Sequence, residues 1–137
     1  PNHFHLILKQ LEDDGISKYI RLILNSWTHH FNKRHERVGS LFQGVFKAVR
    51  IEDDEQLIHL SRYIHINPVV SYLIKEKDLL LYPWTSISDY LKGNSPLVET
   101  STILSYFSSF DKYKKFLFDQ IDYAKKINKI KHLKLET

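Results

Sequence analysis

The chain has 137 residues, of which 42% are hydrophobic and 26% charged, a profile that predicts one soluble globular domain with a modest core. It has no cysteine, which excludes disulfides and thiolate metal sites and fits a reducing cytosol, and no apolar run approaches the roughly 20 residues of a membrane span. The 20 lysines and arginines against 16 acids give a formal charge of +4, which is compatible with a polyanionic partner.

The N-terminal part of the chain predicts two strands with a helix and a loop between them. The segment His3–Lys9 alternates its side chains, which predicts a strand with His3 and His5 on one face. Apolar side chains then recur at helical spacing, which indicates an amphipathic helix with a partly basic face. Residues 32–44 have the glycines and charges of a loop, and Val45–Ile51 is the second predicted strand.

A second helix is predicted over residues 54–65. Asp53 and Gln56 have the spacing of a capping box, and acids occupy the first turn, where the helix dipole favours them. Proline restricts the residue before it, so the pair Asn67-Pro68 predicts a break or kink near Asn67. The apolar stripe of this helix consists of Leu57, Leu60 and Ile64.

The rest of the chain predicts three further helices. A short one is expected around residues 87–91, and another near residues 102–107 after a turn rich in glycine and proline. The stretch from about residue 111 to residue 133 repeats apolar side chains at helical spacing between many lysines, which predicts one long basic helix.

Two pairs of residues have spacings that suit metal and phosphate chemistry. His3 and His5, two apart on a strand, can direct two imidazoles at one divalent cation, and the alternative is an ordinary pair of half-exposed histidines. Tyr63 and Asn67 share a helix face, so the phenol could attack a phosphate while the amide holds a metal. The alternative there is a core tyrosine followed by an asparagine that ends the helix.

A basic, aromatic surface is the candidate DNA contact. Lysines and arginines in and around the loop occur with aromatic side chains that could stack on unpaired bases, although such a loop can equally be a solvated surface. The candidate DNA-binding residues are Lys33, Arg34, Arg37, Phe42, Gln43, Lys47 and Arg62.

Four blocks of this sequence resemble the REP-associated tyrosine transposases, which belong to the HUH single-tyrosine transposases. The resemblance covers about positions 1–91, and the blocks occur in the order and approximate spacing of the family. The blocks are Pro1-Asn2-His3-Phe4-His5-Leu6, Phe31-Asn32-Lys33-Arg34-His35, Gly39-Ser40-Leu41-Phe42-Gln43-Gly44 and Ser61-Arg62-Tyr63-Ile64-His65-Ile66-Asn67-Pro68-Val69.

The resemblance implies an α+β fold, a ferredoxin-like core with an antiparallel sheet and flanking helices. Residues 1–92 would form this catalytic core and residues 93–137 a helical C-terminal extension. The family places a strand, a helix and a strand before the His-x-His strand, so we expect an N-terminally incomplete core whose sheet an upstream portion or a second copy would complete. Two strands alone make a marginal ribbon in water.

The resemblance also implies an activity, the cleavage and rejoining of single-stranded hairpin DNA through a 5′-phosphotyrosine. His3 and His5 correspond to the metal ligands, Asn67 to the third ligand and Tyr63 to the nucleophile, with Mg²⁺ or Mn²⁺ as cofactor. The implied setting is the bacterial cytoplasm at the nucleoid, without a membrane partner, and a homodimer could complete the sheet or the active site.

Two departures and two rival functions accompany this interpretation. The family commonly has basic residues where Val45 and Val70 stand, so two backbone contacts to DNA are missing. The first rival is a catalytically inactive, domesticated DNA-binding protein of the same fold. The second is a metal-dependent nuclease that uses water and tolerates Tyr63→Phe, but no carboxylate pair accompanies the histidines.

Overall fold

The computed structural model describes the backbone of residues 3–135 and the side chains of residues 3–129, so Pro1 and Asn2 of the first block lie outside the described residues. The chain is 56% helical and divides into two compact units, residues 1–50 and residues 51–137. No helix within residues 3–135 combines the length and apolar character needed to cross a membrane. The helices are α1 (Gly15–Arg34), α2 (Asp54–Val70), a 3-10 helix (Glu76–Leu81), α3 (Ile87–Lys92), α4 (Ser101–Leu104), α5 (Phe110–Phe118) and α6 (Ile121–Leu135).

The predicted antiparallel sheet, and with it the ferredoxin-like α+β fold class, is wrong. The structure contains no strand over residues 3–135, and both predicted strands, His3–Lys9 and Val45–Ile51, lack regular secondary structure. A strand needs a neighbouring backbone to pair with and a buried face. Within the described residues neither segment pairs with a neighbouring backbone, and Val45 and Val49 of the second segment are 87% and 85% exposed. The alternation of side chains along the sequence is typical of a strand, but it does not provide a second strand to pair with.

The first unit is built around α1, which is longer than predicted. The helix continues for three residues into the expected loop, so that Lys33 and Arg34 lie in its last turn, where the helix dipole favours positive charge. Ile20 is the buried hydrophobic side chain among residues 3–50, at 6% exposure. The first unit therefore has little core of its own in the part that the structure describes.

The second unit holds a hydrophobic core that surrounds α2. This helix packs against the 3-10 helix, α4, α5 and α6. The predicted short helix at residues 87–91 is confirmed as α3, whereas the predicted long helix at residues 111–133 is two helices, α5 and α6, separated at Asp119–Gln120. The buried core residues are Ile66, Val69, Leu79, Ile87, Tyr90, Ile103, Tyr113, Leu117 and Ile121.

A break or a kink was predicted near Asn67. The α2 helix passes through Asn67 and Pro68, so the break is wrong. Pro68 lies in the last turn, where its missing N–H costs one hydrogen bond. Core burial offsets that loss, because Val69 is 1% exposed and full burial of such a side chain contributes about 1.5–3 kcal/mol. The carbonyl of Asn67 also accepts the Ser71 N–H at 2.9 Å, which closes the helix end.

The core-facing side of α2 also differs from the predicted stripe. The side chains that are buried are Ser61, His65, Ile66 and Val69, whereas Leu57, Leu60 and Ile64 are half-buried. Two of the four buried positions are polar, which an apolar periodicity cannot detect. The helix is therefore rotated relative to the expected orientation.

Candidate active site

The outward face of α2 carries a polar stripe with Tyr63 at its centre. Because α2 is helical from residue 54 to residue 70, side chains four residues apart lie one turn apart on the same face. Glu55, His59, Tyr63 and Asn67 follow each other at this spacing. Tyr63 is 51% exposed, and Nε2 of His59 lies 3.8 Å from a carboxylate oxygen of Glu55. The helix thus brings Tyr63 and Asn67 together on one face of the second unit.

The opposite face of α2 is fixed by a buried hydrogen-bond network around His65. Its Nδ1 lies 2.8 Å from the hydroxyl of Tyr113 on α5, and its Nε2 lies 2.9 Å from Oγ of Ser86 beside α3. The Tyr113 hydroxyl is also 3.2 Å from Oγ of Ser61, which donates to the Ile58 carbonyl at 2.8 Å. These bonds connect α2 to two other elements and determine which side of the helix faces outward.

The protons of this network have one consistent arrangement, since each hydroxyl has one to donate. Ser61 donates to the Ile58 carbonyl, Tyr113 donates to Ser61, Nδ1–H of His65 donates to Tyr113, and Ser86 donates to Nε2. Burial lowers the pKa of His65 from 6.5 to about 4, which keeps the imidazole neutral as this arrangement requires. Burial also raises the pKa of Tyr113, so its phenol stays protonated.

Arg62, a predicted DNA contact, is held on the side of α2 by α5. Its guanidinium lies 4.0 Å above the ring centroid of Phe116, and Nη1 donates to the Phe116 carbonyl at 3.3 Å. Nη2 is 2.7 Å from Nδ1 of His59. Arginine has no acceptor, so Nδ1 of His59 must accept, and the neutral imidazole then carries its proton on Nε2. Arg62 and His59 flank Tyr63 as a positioned pair.

His3 and His5 are neighbours in the first unit. Their rings are 5.0 Å apart between centroids and nearly perpendicular, and both side chains are exposed. Loss of hydration against neighbouring atoms, followed by the charge of the nearby His3, lowers the pKa of His5, which favours the neutral form that coordinates metals. Within residues 3–129 no group of three or more histidine, aspartate or glutamate side chains is arranged around a metal position. The pair supplies two imidazoles, and the proposed third ligand, Asn67, belongs to the second unit.

The block from Gly39 to Gly44 forms a loop that α1 holds in shape. Nδ2 of Asn32 donates to the Gly39 carbonyl at 2.9 Å, and Nη1 of Arg37 donates to Oδ1 of Asn32 at 2.9 Å. Gly39 and Gly44 have φ of 95° and 70°, left-handed values that favour glycine. The ring of Phe42 lies 6.3 Å from that of Phe4, which connects the loop to the segment that carries the histidines.

The candidate DNA-binding residues differ in whether their side chains already make contacts within the protein. Arg37 uses its guanidinium on the loop, with a second donation to the Ser40 carbonyl at 3.3 Å, and Arg62 is stacked on Phe116. The side chains of Lys33, Arg34, Gln43 and Lys47 are exposed, whereas Phe42 is half-buried. The exposed lysines and Arg34 are therefore the members of the set that can reach a phosphate without breaking a contact of the loop.

Sequence reasoning missed the residues that form hydrogen bonds with the buried face of α2. Tyr113 and Ser86 lie 48 and 21 residues from His65 along the chain, too far for a local pattern to connect them. The available signal was a histidine at i+4 from a serine inside a helical apolar pattern, which indicates a buried polar pair that needs a partner.

Each unit thus holds one part of the predicted site. His3 and His5 are adjacent in the first unit, and Tyr63 and Asn67 share a helix face in the second. Comparisons with protein-family models, with curated proteins and with solved structures found no match to this chain.

Proposed function

We propose that this chain cleaves and rejoins single-stranded hairpin DNA with Tyr63 as the nucleophile. The observation that carries the proposal is the outward face of α2, where a half-exposed Tyr63 is followed one turn later by Asn67. The His65 network fixes the opposite face of the helix, so the phenol is presented by a firmly held element. The four sequence blocks in family order support the same assignment.

The reaction is a transesterification at phosphorus. The Tyr63 oxygen attacks the scissile phosphate and loses its proton, the bond from phosphorus to the DNA 3′-oxygen breaks, and that oxygen leaves as a 3′-hydroxyl after gaining a proton. A 5′-phosphotyrosine remains. A DNA 3′-hydroxyl can reverse the step on another strand, and because the phosphodiester count is conserved, rejoining needs no nucleotide hydrolysis.

The family resemblance proposes His3, His5 and Asn67 as ligands of a divalent cation. In the first unit His3 and His5 are neighbouring exposed imidazoles, which can bind such a cation, and in the second unit Asn67 carries an amide oxygen of the kind that can serve as a ligand. A bound Mg²⁺ or Mn²⁺ would polarise the scissile phosphate and ease loss of the phenol proton. Imidazole ligands suit transition metals better than Mg²⁺, so Mn²⁺ is the first metal to test.

Binding of the DNA backbone is proposed for the exposed cations of the first unit. Lys33 and Arg34 extend from the last turn of α1, and Lys47 follows the loop that Arg37 holds in shape. Their contacts with phosphates would release counterions, so affinity should fall as salt is raised. We place this activity at the nucleoid in the bacterial cytoplasm.

A covalent adduct tests the proposal. The chain is incubated with Mn²⁺ and a labelled hairpin with a single-stranded 5′ arm, then denatured and separated by size. We expect a labelled band at the mass of protein plus DNA, which Tyr63→Phe and EDTA both remove. Tyr123→Phe is the matched control, because Tyr123 is exposed on α6 and should leave the band unchanged. Cleavage that persists in Tyr63→Phe with free 5′-phosphate ends would instead indicate a hydrolytic nuclease.

Mixing variants tests whether two copies build the site. Tyr63→Phe and the double variant His3→Ala/His5→Ala are each expected to be inactive alone. An adduct in their mixture means that the histidines of one chain serve the tyrosine of another, whereas its absence in the mixture places the site within one chain.

The second candidate is a DNA-binding protein without chemistry, which the exposed cations of the first unit favour. Lys33, Arg34 and Lys47 can contact phosphates without any contribution from Tyr63 or a metal. This candidate predicts hairpin binding that EDTA does not change and no adduct under any metal.

A further inference from the structure

A cleft at the C-terminal end of α2 has no role in the proposed chemistry. It has a volume of about 410 Å³, within the range of small-ligand sites, and its apolar walls are Val69, Leu73 and Ile74. Tyr72 and Lys125 complete its rim. The cleft lies entirely in the second unit.

The frame of the cleft is firmly hydrogen-bonded. The Leu73 and Ile74 N–H groups donate to the Pro68 carbonyl at 2.9 and 3.2 Å, and Nδ2 of Asn128 on α6 donates to the Val70 carbonyl at 3.2 Å. The Asn67 carbonyl accepts the Ser71 N–H, so the last carbonyls of α2 have hydrogen-bond donors. This reduces the negative potential that the C-terminus of a helix would present to an anion.

Tyr72 presents an aromatic ring at this cleft from a strained backbone. Its φ is 57°, a left-handed value that is costly for a bulky residue, and the ring is 57% exposed. Nζ of Lys129 lies 5.9 Å from the ring centroid. An exposed aromatic ring can stack on an unpaired base, and a neighbouring ammonium group can pair with the phosphate of that base.

The charge around the cleft favours an anion. Lys75 and Lys125 line it, and Lys129 lies beside the ring of Tyr72. The carboxylate in the lining is Glu76, which is 3.9 Å from Nζ of Lys125. Positive charge is therefore in excess along the cleft and beside its aromatic ring.

We propose that this cleft binds one unpaired base together with its phosphate, a chemistry that a free nucleotide and a single strand of nucleic acid share. The base stacks on Tyr72 between the apolar walls, and the phosphate pairs with the ammonium groups of Lys129 and Lys75. This binding does not depend on Tyr63 or on a metal, so it stands apart from the proposed cleavage.

Binding in EDTA, where the proposed cleavage cannot occur, tests the inference. Fluorescence anisotropy is measured with labelled oligothymidylate, and a thymidine monophosphate titration is followed by the amide resonances of residues 69–76. Tyr72→Ala should weaken oligonucleotide binding about tenfold, and Tyr72→Phe should retain it, because stacking needs the ring and not the hydroxyl. Lys129→Ala should lower the salt dependence by about 0.7 in the logarithmic slope.

Two matched controls lie on the same helix as Lys129. Tyr123→Ala removes an exposed tyrosine and Lys126→Ala an exposed lysine away from the cleft lining, and neither should change binding. Resonance shifts with the monophosphate identify a free nucleotide as ligand, and binding of the oligonucleotide alone identifies a strand. Equal losses in Tyr72→Ala and Tyr123→Ala, or no binding of either probe, would overturn the inference. The surface variant Lys129→Ala keeps the test decisive if Tyr72→Ala does not fold.

Discussion

The imidazole of His65 is 2% exposed and surrounded by neutral groups, namely the hydroxyls of Tyr113 and Ser86 and the ring of Tyr90 at 4.8 Å. Its pKa falls from 6.5 to about 4 on folding because burial disfavours the charged form. The unfolded chain therefore takes up a proton as the pH falls below 6.5, whereas the folded chain does so only near 4. The contribution to stability is complete above pH 6.5 and is lost as the pH falls from 6.5 towards 4.

Urea unfolding at two pH values checks this behaviour, without added metal. Between about pH 6.5 and pH 5 the wild type should lose on the order of 2 kcal/mol of unfolding free energy from this group. His65→Gln should lose less, since it has no imidazole to protonate. His59→Gln, at an exposed position of the same helix, should behave as the wild type, and identical pH slopes for the two variants would contradict the assignment.

Tyr113 joins α5 to α2 through its hydroxyl. Tyr113→Phe leaves His65 and Ser61 without that partner, so the free energy of unfolding should fall by about 1–3 kcal/mol in chemical denaturation. Tyr123→Phe, which removes a hydroxyl from an exposed ring, should change it by less than about 0.5 kcal/mol. An unchanged free energy of unfolding in Tyr113→Phe would show that the buried hydroxyl is dispensable.

At the scale of the element, α2 begins at a side-chain cap that the sequence predicted. Oδ1 of Asp53 accepts the Gln56 N–H at 2.7 Å, and Oε1 of Gln56 accepts the Glu52 N–H at 2.7 Å. Asp53→Ala should destabilise the protein by about 1 kcal/mol, whereas Asp53→Asn, which can still accept, should be nearly neutral. Thermal unfolding of the two variants tests this prediction. Equal losses of stability in both variants would mean that the charge of Asp53, and not its hydrogen bond, stabilises the helix.

The helices were predictable where apolar side chains recur at helical spacing over many residues. Their ends were harder to predict. The N-terminus of α2 was predicted because a cap is local, but its C-terminus was missed because burial of Ile66 and Val69 overrides the preference of Asn67-Pro68. The separation of α5 from α6 was also missed, since Tyr113 and Ile121 belong to one apolar pattern that continues through the gap. The strands failed because their pairing is not encoded locally.

At the scale of the whole molecule, the two units differ in how much apolar surface they bury. Within residues 51–129 the second unit has nine buried hydrophobic core residues, whereas within residues 3–50 the first unit has Ile20. Amide protons of α1 should therefore exchange faster than those of α2, because local opening costs less where few apolar contacts are broken. Hydrogen exchange measured by mass spectrometry on the full chain checks this, and equal protection of the two helices would contradict it.

The candidate site was predictable in its parts. Tyr63 and Asn67 were expected on one helix face, and the continuous α2 helix places them so. The contacts that fix the orientation of α2 could not be predicted, because they involve Tyr113, Ser86 and Phe116, which lie far from α2 in the sequence. The metal pair His3 and His5 was expected from a strand that the structure does not contain, although their rings are adjacent. The roles of all four residues stay predictions.

The central claim, that Tyr63 forms the covalent bond to DNA, is tested most directly by locating the attachment site. The adduct formed with Mn²⁺ is digested with a protease and a nuclease, and the modified peptide is sequenced by mass spectrometry. The account predicts a nucleotide joined through its 5′-phosphate to Tyr63. Attachment at another residue, such as the exposed Tyr72 or Tyr123, or recovery of no modified peptide, would contradict it.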